Sequence, residues 1–206
     1  PTAVITGDSQ DSIIAAIRDT LGPKIIGMDV ENLEEILSTL DAGMLHNHSA
    51  KAALDIAVHD LFGKRFGMPL YKYFGGYCNR METDLTISLN GPEEMVRDAK
   101  EAVSEGYAAI KIKVGNEPAL DIKRVQAIRA AVGPAVKIRL DANQGWSAKE
   151  AVRTIRKFEE EGLDIELVEQ PVKAHDFEGL KYVTERVETA IMADESAFGP
   201  FEVFRL

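Results

Sequence analysis

Three acidic residues each close a short apolar run: Ile138-Arg139-Leu140-Asp141, Leu167-Val168-Glu169 and Met192-Ala193-Asp194. They lie 28 and 25 residues apart, each gap the length of one strand–helix unit. If each run is a strand of a parallel sheet, Asp141, Glu169 and Asp194 stand at its C-terminal ends, where ligands gather in such folds. Three hard oxygen donors with no cysteine or histidine among them suit Mg²⁺, or Mn²⁺, better than zinc. With no cation between them they would repel and raise one another's pKa. The structural alternative is that each acid caps the helix after it.

A run of alternating residues, Ala109-Ile110-Lys111-Ile112-Lys113, supplies the opposite charge. Residues two apart share a strand face, so Lys111 and Lys113 point into a barrel interior while Ile110 and Ile112 point toward covering helices. Two interior lysines are costly unless anions answer them, as acidic ligands and an anionic substrate would. Each lysine, partly desolvated and beside another cation, is expected to have a lowered pKa and to serve as a base. A solvated edge strand is the alternative.

The elements that must position these groups are legible from residue 82 onward. Strands are predicted over 83–89, 108–114, 136–141, 165–169 and 190–193, with helices over 92–105, 118–131, 147–161 and 177–186. Pro92 and Pro118 suit helix starts, and Gly106, Gly133 and Gly162 suit the positions after helix ends. Repeated strand–helix units imply a parallel α/β sheet. Five strands are part of a (β/α)₈ barrel, which takes about 250 residues; an open doubly wound sheet is the alternative, weakened by the lack of a GxGxxG turn. The first third reads as helices over 12–21, 32–40 and 49–64, with Ala53, Ile56, Ala57, Asp60 and Leu61 on one face of the third. Gly75-Gly76 reads as a hinge, which places a mostly helical domain at 1–78 and a barrel domain at 79–206.

Composition narrows the function. Acidic residues outnumber basic ones 34 to 24, for a net charge of −10, which argues against nucleic acid and anionic membranes as partners. No apolar run approaches the roughly 20 residues of a membrane span. The single Cys78 cannot form an internal disulfide and fits a reduced, cytoplasmic setting. The proline at position 1, and an end inside what reads as a helix, suggest that a longer protein extends on both sides.

Taken in order, Lys111-Ile112-Lys113, Leu140-Asp141-Ala142-Asn143-Gln144-Gly145-Trp146, Val168-Glu169-Gln170-Pro171 and Ala193-Asp194-Glu195-Ser196 resemble the enolase superfamily, and within it the muconate-lactonizing subgroup. Ala50-Lys51-Ala52-Ala53-Leu54-Asp55-Ile56-Ala57 and the stretch from Gly67-Met68-Pro69-Leu70 to Gly75-Gly76 are similar to that subgroup's α+β capping domain. The strand Thr83-Asp84-Leu85-Thr86-Ile87-Ser88 is most similar to dipeptide epimerases of the L-Ala-D/L-Glu type. The resemblance implies an enolase-type modified TIM barrel and an isomerase that removes a proton next to a carboxylate through an enediolate intermediate. It implies Mg²⁺ on Asp141, Glu169 and Asp194, Lys113 as acid/base on one face, Lys111 beside the substrate carboxylate, and Thr86 at a dipeptide substrate. The opposing lysine, on a sixth strand, and the eighth-strand specificity residues fall outside this chain, as do an N-terminal sheet and its mobile loop. Muconate cycloisomerases, o-succinylbenzoate synthases and N-acylamino acid racemases share the metal motif, and a barrel without catalysis that serves as a binding module is the non-enzymatic alternative. Homo-oligomerisation is compatible with all of these.

Other residues carry weaker signals. Asn143 shares the parity of Asp141 and either supports the metal site or caps a helix. Arg139 is expected to pair with barrel acids. His46 and His48 read as turn residues, His59 and His175 have no companion motif, Trp146 is expected to pack at a helix start, and Cys78 lacks the context of a nucleophile.

Overall fold

The computed structural model describes residues 3–206. It contains two compact units that divide between Met81 and Glu82, rather than at 78/79.

The first unit has only helices as regular elements among its described residues. It comprises α1 (Ala3–Thr6), α2 (Gln10–Ala15) running on through a π-helical stretch, Ala16–Leu21, into α3 (Gly22–Ile25), then α4 (Leu33–Ala42), α5 (His48–Arg65) and α6 (Leu70–Tyr73). Ser9 caps α2: its Oγ accepts from Ser12 N at 3.1 Å while Ser12 Oγ accepts from Ser9 N at 2.9 Å. The apolar centre joins Ala16, Leu21, Leu33, Ile36 and Leu40 to Ala50 and Val58 of α5, with Leu54 and Phe62 against it. The face of α5 grouped from the sequence is therefore the wrong one, since Ile56 and Leu61 are exposed. The sequence of α5 offers two apolar stripes, and the packing of α4 and the Ala16–Leu21 stretch decides which is covered. Gly63 lies inside α5 and Gly67, at φ +59°, ends it. Gly75 and Gly76 close the turn after α6, with Gly76 N–H donating to Tyr71 O at 2.6 Å.

The second unit alternates strictly: β1 (Leu85–Ile87), α7 (Pro92–Ser104), β2 (Ala109–Lys113), α8 (Pro118–Val132), β3 (Lys137–Asp141), α9 (Ala148–Glu160), β4 (Ile165–Glu169), α10 (Phe177–Thr184), β5 (Ala190–Met192) and α11 (Pro200–Arg205). All strand pairs are parallel and their spatial order is their chain order, β1-β2-β3-β4-β5. A doubly wound sheet reverses direction at a switch point, so this order excludes that alternative and is that of a partial (β/α) barrel. The two edge strands are shorter than the sequence suggests because each pairs on one side only.

One face of the sheet is covered by helices. Ile110, Ile112, Ile138, Leu140 and Val168 are wholly buried beside Met95, Ala99, Val125, Ile128, Ile155 and Phe158. Each large apolar side chain buried there contributes about 1.5–3 kcal/mol. Local chemistry sets the helix ends: Ser147 and Glu150 form a capping box on α9, and Asp176 Oδ1 accepts from Gly179 N at 2.8 Å on α10.

Candidate metal centre and acid–base site

The period of two that buries the isoleucines sends their neighbours to the opposite face. Parallel register then assembles those neighbours into rows. Thr86, Lys111, Arg139 and Leu167 are successive partners in one row; Lys113, Asp141, Glu169 and Met192 form the next, at the C-terminal strand ends. Between Ile138 and Arg139 the pairing of β3 with β4 slips by one residue, so Ile138 faces Ile165 but Arg139 faces Leu167. Arg139 Nε reaches Glu166 Oε2 at 2.5 Å, and its guanidinium meets Asp84 Oδ2 at 3.0 Å, an ion-paired base to the site. Without that slip Glu169 would lose its place beside Asp141.

Asp141 and Glu169 are buried, with 1 % and 6 % of their surface exposed. Lys111 Nζ bridges them, 3.2 Å from Asp141 Oδ2 and 3.2 Å from Glu169 Oε2. Lys113 Nζ donates to Asp141 Oδ2 and to Asn143 Oδ1, both at 2.6 Å. These contacts reverse one expectation. Burial works to lower the Lys111 pKa, but hydrogen bonds and charge from Asp141 and Glu169 outweigh it and raise the ammonium above its ordinary value. Asp141 feels burial upward, yet Lys113, the Asn143 amide and Lys111 hold it below the carboxylate range. Glu169 is pushed up by burial and by the charge of Asp141.

Asp194 lies two residues beyond β5 rather than at its end. Gln170 places it there: Gln170 Oε1 accepts from Asp194 N at 2.9 Å and from Ser196 N at 3.0 Å, while its Nε2 donates to Ser196 Oγ at 2.7 Å. Burial, then Glu195 and Asp141, push the Asp194 pKa up. Three residues here depart from ordinary backbone: Asn143, Gln144 and Gln170 have φ of +40°, +68° and +37°. Left-handed non-glycine residues are uncommon, and their clustering after β3 and β4 marks backbone strain at the C-terminal mouth of the sheet.

Sequence reasoning missed Gln170, Glu166 and Glu195. Gln170 and Glu195 stand beside assigned acids, where strand parity points a side chain away; only the left-handed turn and the loop after β5 bring them back. Asp121 was missed as well. Wholly buried, it pairs with Arg124 at 2.9 Å and accepts from Gly115 N at 2.9 Å and Trp146 Nε1 at 3.3 Å, tying the loops after β2 and β3 to α8. Those loops press together so closely that a Cβ on Gly115 or Gly145 would strike the facing backbone.

Among the described residues no three His, Cys, Asp or Glu side chains are gathered tightly enough to hold one ion, because the two ammoniums stand among the carboxylates. The donor set nevertheless suits a hard divalent cation. Asp141, Glu169 and Asp194 oppose only Lys111 and Lys113, an excess of one formal negative charge, and burial and neighbouring carboxylates push the pKa of both Glu169 and Asp194 up. Thr86 borders Lys111 across β1 and is exposed. His59 contacts Asp55 at 2.9 Å within the helical unit, and His46, His48, His175 and Cys78 are exposed. No helix of the described residues is long and apolar enough to cross a membrane.

Known proteins share this architecture. Residues 94–206 match the family described as enolase C-terminal domain-like, and residues 2–75 match the mandelate racemase / muconate lactonizing enzyme N-terminal domain. An L-Ala-D/L-Glu epimerase of Clostridium acetobutylicum is 55 % identical over 205 residues, covering 100 % of this chain and 57 % of that protein. The substrate-liganded L-Ala-D/L-Glu epimerase of Bacillus subtilis superposes with a TM-score of 0.96 at 52 % identity, over 99 % of this chain and 57 % of the other. A dipeptide epimerase of Enterococcus faecalis, solved with Mg and the dipeptide L-Leu-L-Tyr, gives 0.95 at 45 % identity, over 100 % and 57 %. The chain thus spans 57 % of the length of each of these relatives. Strand order, the lysine and carboxylate rows and these matches agree: the chain belongs to the mandelate racemase / muconate lactonizing enzyme family of the enolase superfamily.

Proposed function

We propose that this chain carries the metal site and one acid/base of an isomerase that moves the proton next to a carboxylate, and that the protein is a dipeptide epimerase of the L-Ala-D/L-Glu type. The observation that carries the reading is the pairing of Lys113 with Asp141 at the mouth, 2.6 Å apart, with Lys111 bridging Asp141 and Glu169. Asp141, Glu169 and Asp194 would hold Mg²⁺. Bound there, Mg²⁺ supplies Lewis acidity toward a substrate carboxylate, offsetting the negative charge that develops as the α-proton leaves. Mg²⁺ is the ion in the Enterococcus faecalis structure; Mn²⁺, which oxygen donors also accept, lacks such support.

The lysines divide the work. Lys111, one row deeper and held as an ammonium by two carboxylates, provides fixed positive charge for the substrate carboxylate. Lys113, at the strand end, moves the α-proton on its face. Thr86, next to Lys111 on β1, borders the substrate. A dipeptide substrate rests on the names of the relatives, and a cytoplasmic setting on the lone exposed Cys78.

The test is α-proton exchange in deuterated water by the protein at its full natural length, with Mg²⁺, across dipeptides and N-acylamino acids. Exchange of L-Ala-Glu-type dipeptides supports the reading. Exchange of N-acylamino acids alone would move the substrate class, and a folded, metal-loaded protein that exchanges none would remove the epimerase.

A further inference from the structure

Glu195 is a buried carboxylate to which the proposed mechanism gives no part, although 97 % of its surface is covered. Oε1 accepts from Asn143 Nδ2 at 3.3 Å, and Oε2 is buried with no hydrogen-bond partner. Burying a carboxylate with one oxygen unpaired is costly. Stability alone would favour an apolar residue there, so the buried acceptor needs another explanation.

The hydrogen bonds supply one. A side-chain amide has an accepting end and a donating end, and its orientation follows from its partners. Asn143 receives Lys113 Nζ on Oδ1 at 2.6 Å and gives Nδ2 to Glu195. Its own backbone is left-handed, at φ +40°, and its N–H is taken by Asp141 Oδ1 at 3.0 Å. The backbone is therefore pinned while the amide plane is free to turn over. A turned amide would aim its NH₂ at the Lys113 ammonium, donor against donor. A carboxylate, which only accepts, prevents this by binding the NH₂ end.

We propose that Glu195 is a positioning residue. It fixes the Asn143 amide so that Oδ1 faces Lys113, and thereby aims the lysine that moves the proton. The inference rests on the role proposed for Lys113 above. It requires an acceptor at the distance of Oε1, not a negative charge as such, and this separates it from a part in metal binding.

Two near-isosteric variants oppose these possibilities in the full-length, Mg²⁺-loaded protein. Glu195→Gln keeps an acceptor in reach of Asn143 and removes the charge, whereas Glu195→Asp keeps the charge and withdraws the acceptor. For the stereoisomer whose proton Lys113 moves, kcat at saturating Mg²⁺ should stay within about twofold of the parent in Glu195→Gln and fall about tenfold or more in Glu195→Asp, with KM changed less than about twofold in both. The reverse order, equal losses or no loss in either variant would overturn the proposal. A second readout needs no turnover: the Asn143 side-chain NH₂ resonances, identified by their disappearance in Asn143→Asp, should move in Glu195→Asp and hold in Glu195→Gln. Resonances unmoved in Glu195→Asp would overturn the proposal. If no substrate exchanges in the parent, the epimerase reading falls, and the amide signal still decides the role of Glu195.

Discussion

Ile112 and Lys113 are adjacent on β2, yet they live in different solvents. Ile112 is wholly buried under the helices, whereas Lys113 reaches the open mouth with its ammonium on Asp141 and Asn143. The same division runs through β3 and β4: Leu140 and Val168 point one way, Asp141 and Glu169 the other. On the helix-covered face, contacts are apolar, numerous and interchangeable in kind, so their role is stability. On the inner face the groups are few and charged, with Lys111 meeting both Asp141 and Glu169 and Asp141 meeting both lysines, and the role proposed for them is chemistry. A single strand thus separates two kinds of mutational consequence by one residue.

The largest effect that tests this contrast is on rate. Lys113→Ala in the full-length protein should lower α-proton exchange of one stereoisomer about 10²- to 10⁴-fold, with the urea midpoint in Mg²⁺ nearly unchanged. Exchange persisting at the parent rate would break the assignment of the inner face. On the other face, Phe158, 1 % exposed between α9 and the sheet, anchors the core. Phe158→Ala should cost about 3–5 kcal/mol in urea unfolding, and any loss of exchange should follow the unfolded fraction.

Metal linkage sharpens the comparison further. Mg²⁺ at about 100 times its Kd should stabilise the folded protein by about 2.7 kcal/mol, read as a shift of the urea midpoint. Asp141→Asn should abolish that shift, while Phe158→Ala should retain it. The smallest expected effect lies at an exposed helix end. Ser147→Ala removes the α9 cap and should cost about 1 kcal/mol without altering kcat.

Much of the barrel unit was legible because two periodicities dominate it. Alternation in Ala109-Ile110-Lys111-Ile112-Lys113 assigns both faces of β2, and proline and glycine punctuate α7 and α8. Legibility failed where the partner of a residue is remote in sequence. Asp194 lies past its strand because Gln170, 24 residues earlier, holds the loop. Asp121 is wholly buried because Gly115, Arg124 and Trp146 converge on it. The covered stripe of α5 was misread because two stripes are apolar and only the packing of α4 and the Ala16–Leu21 stretch chooses between them.

For the site, the sequence by itself determined which residue types stand at the ends of β2, β3 and β4 and which face each takes, since parity and strand length are local properties. The tertiary structure decided which charges meet. Parallel register set Lys113 beside Asp141 and Asp141 beside Glu169, and the one-residue slip at β4 preserved that row. It also decided the state of Lys111: the expected downward shift assumed that burial and a neighbouring cation would dominate. Two carboxylates within 3.3 Å outweigh them. Coulomb energy depends on distances between strands, and those exist only once the sheet has formed.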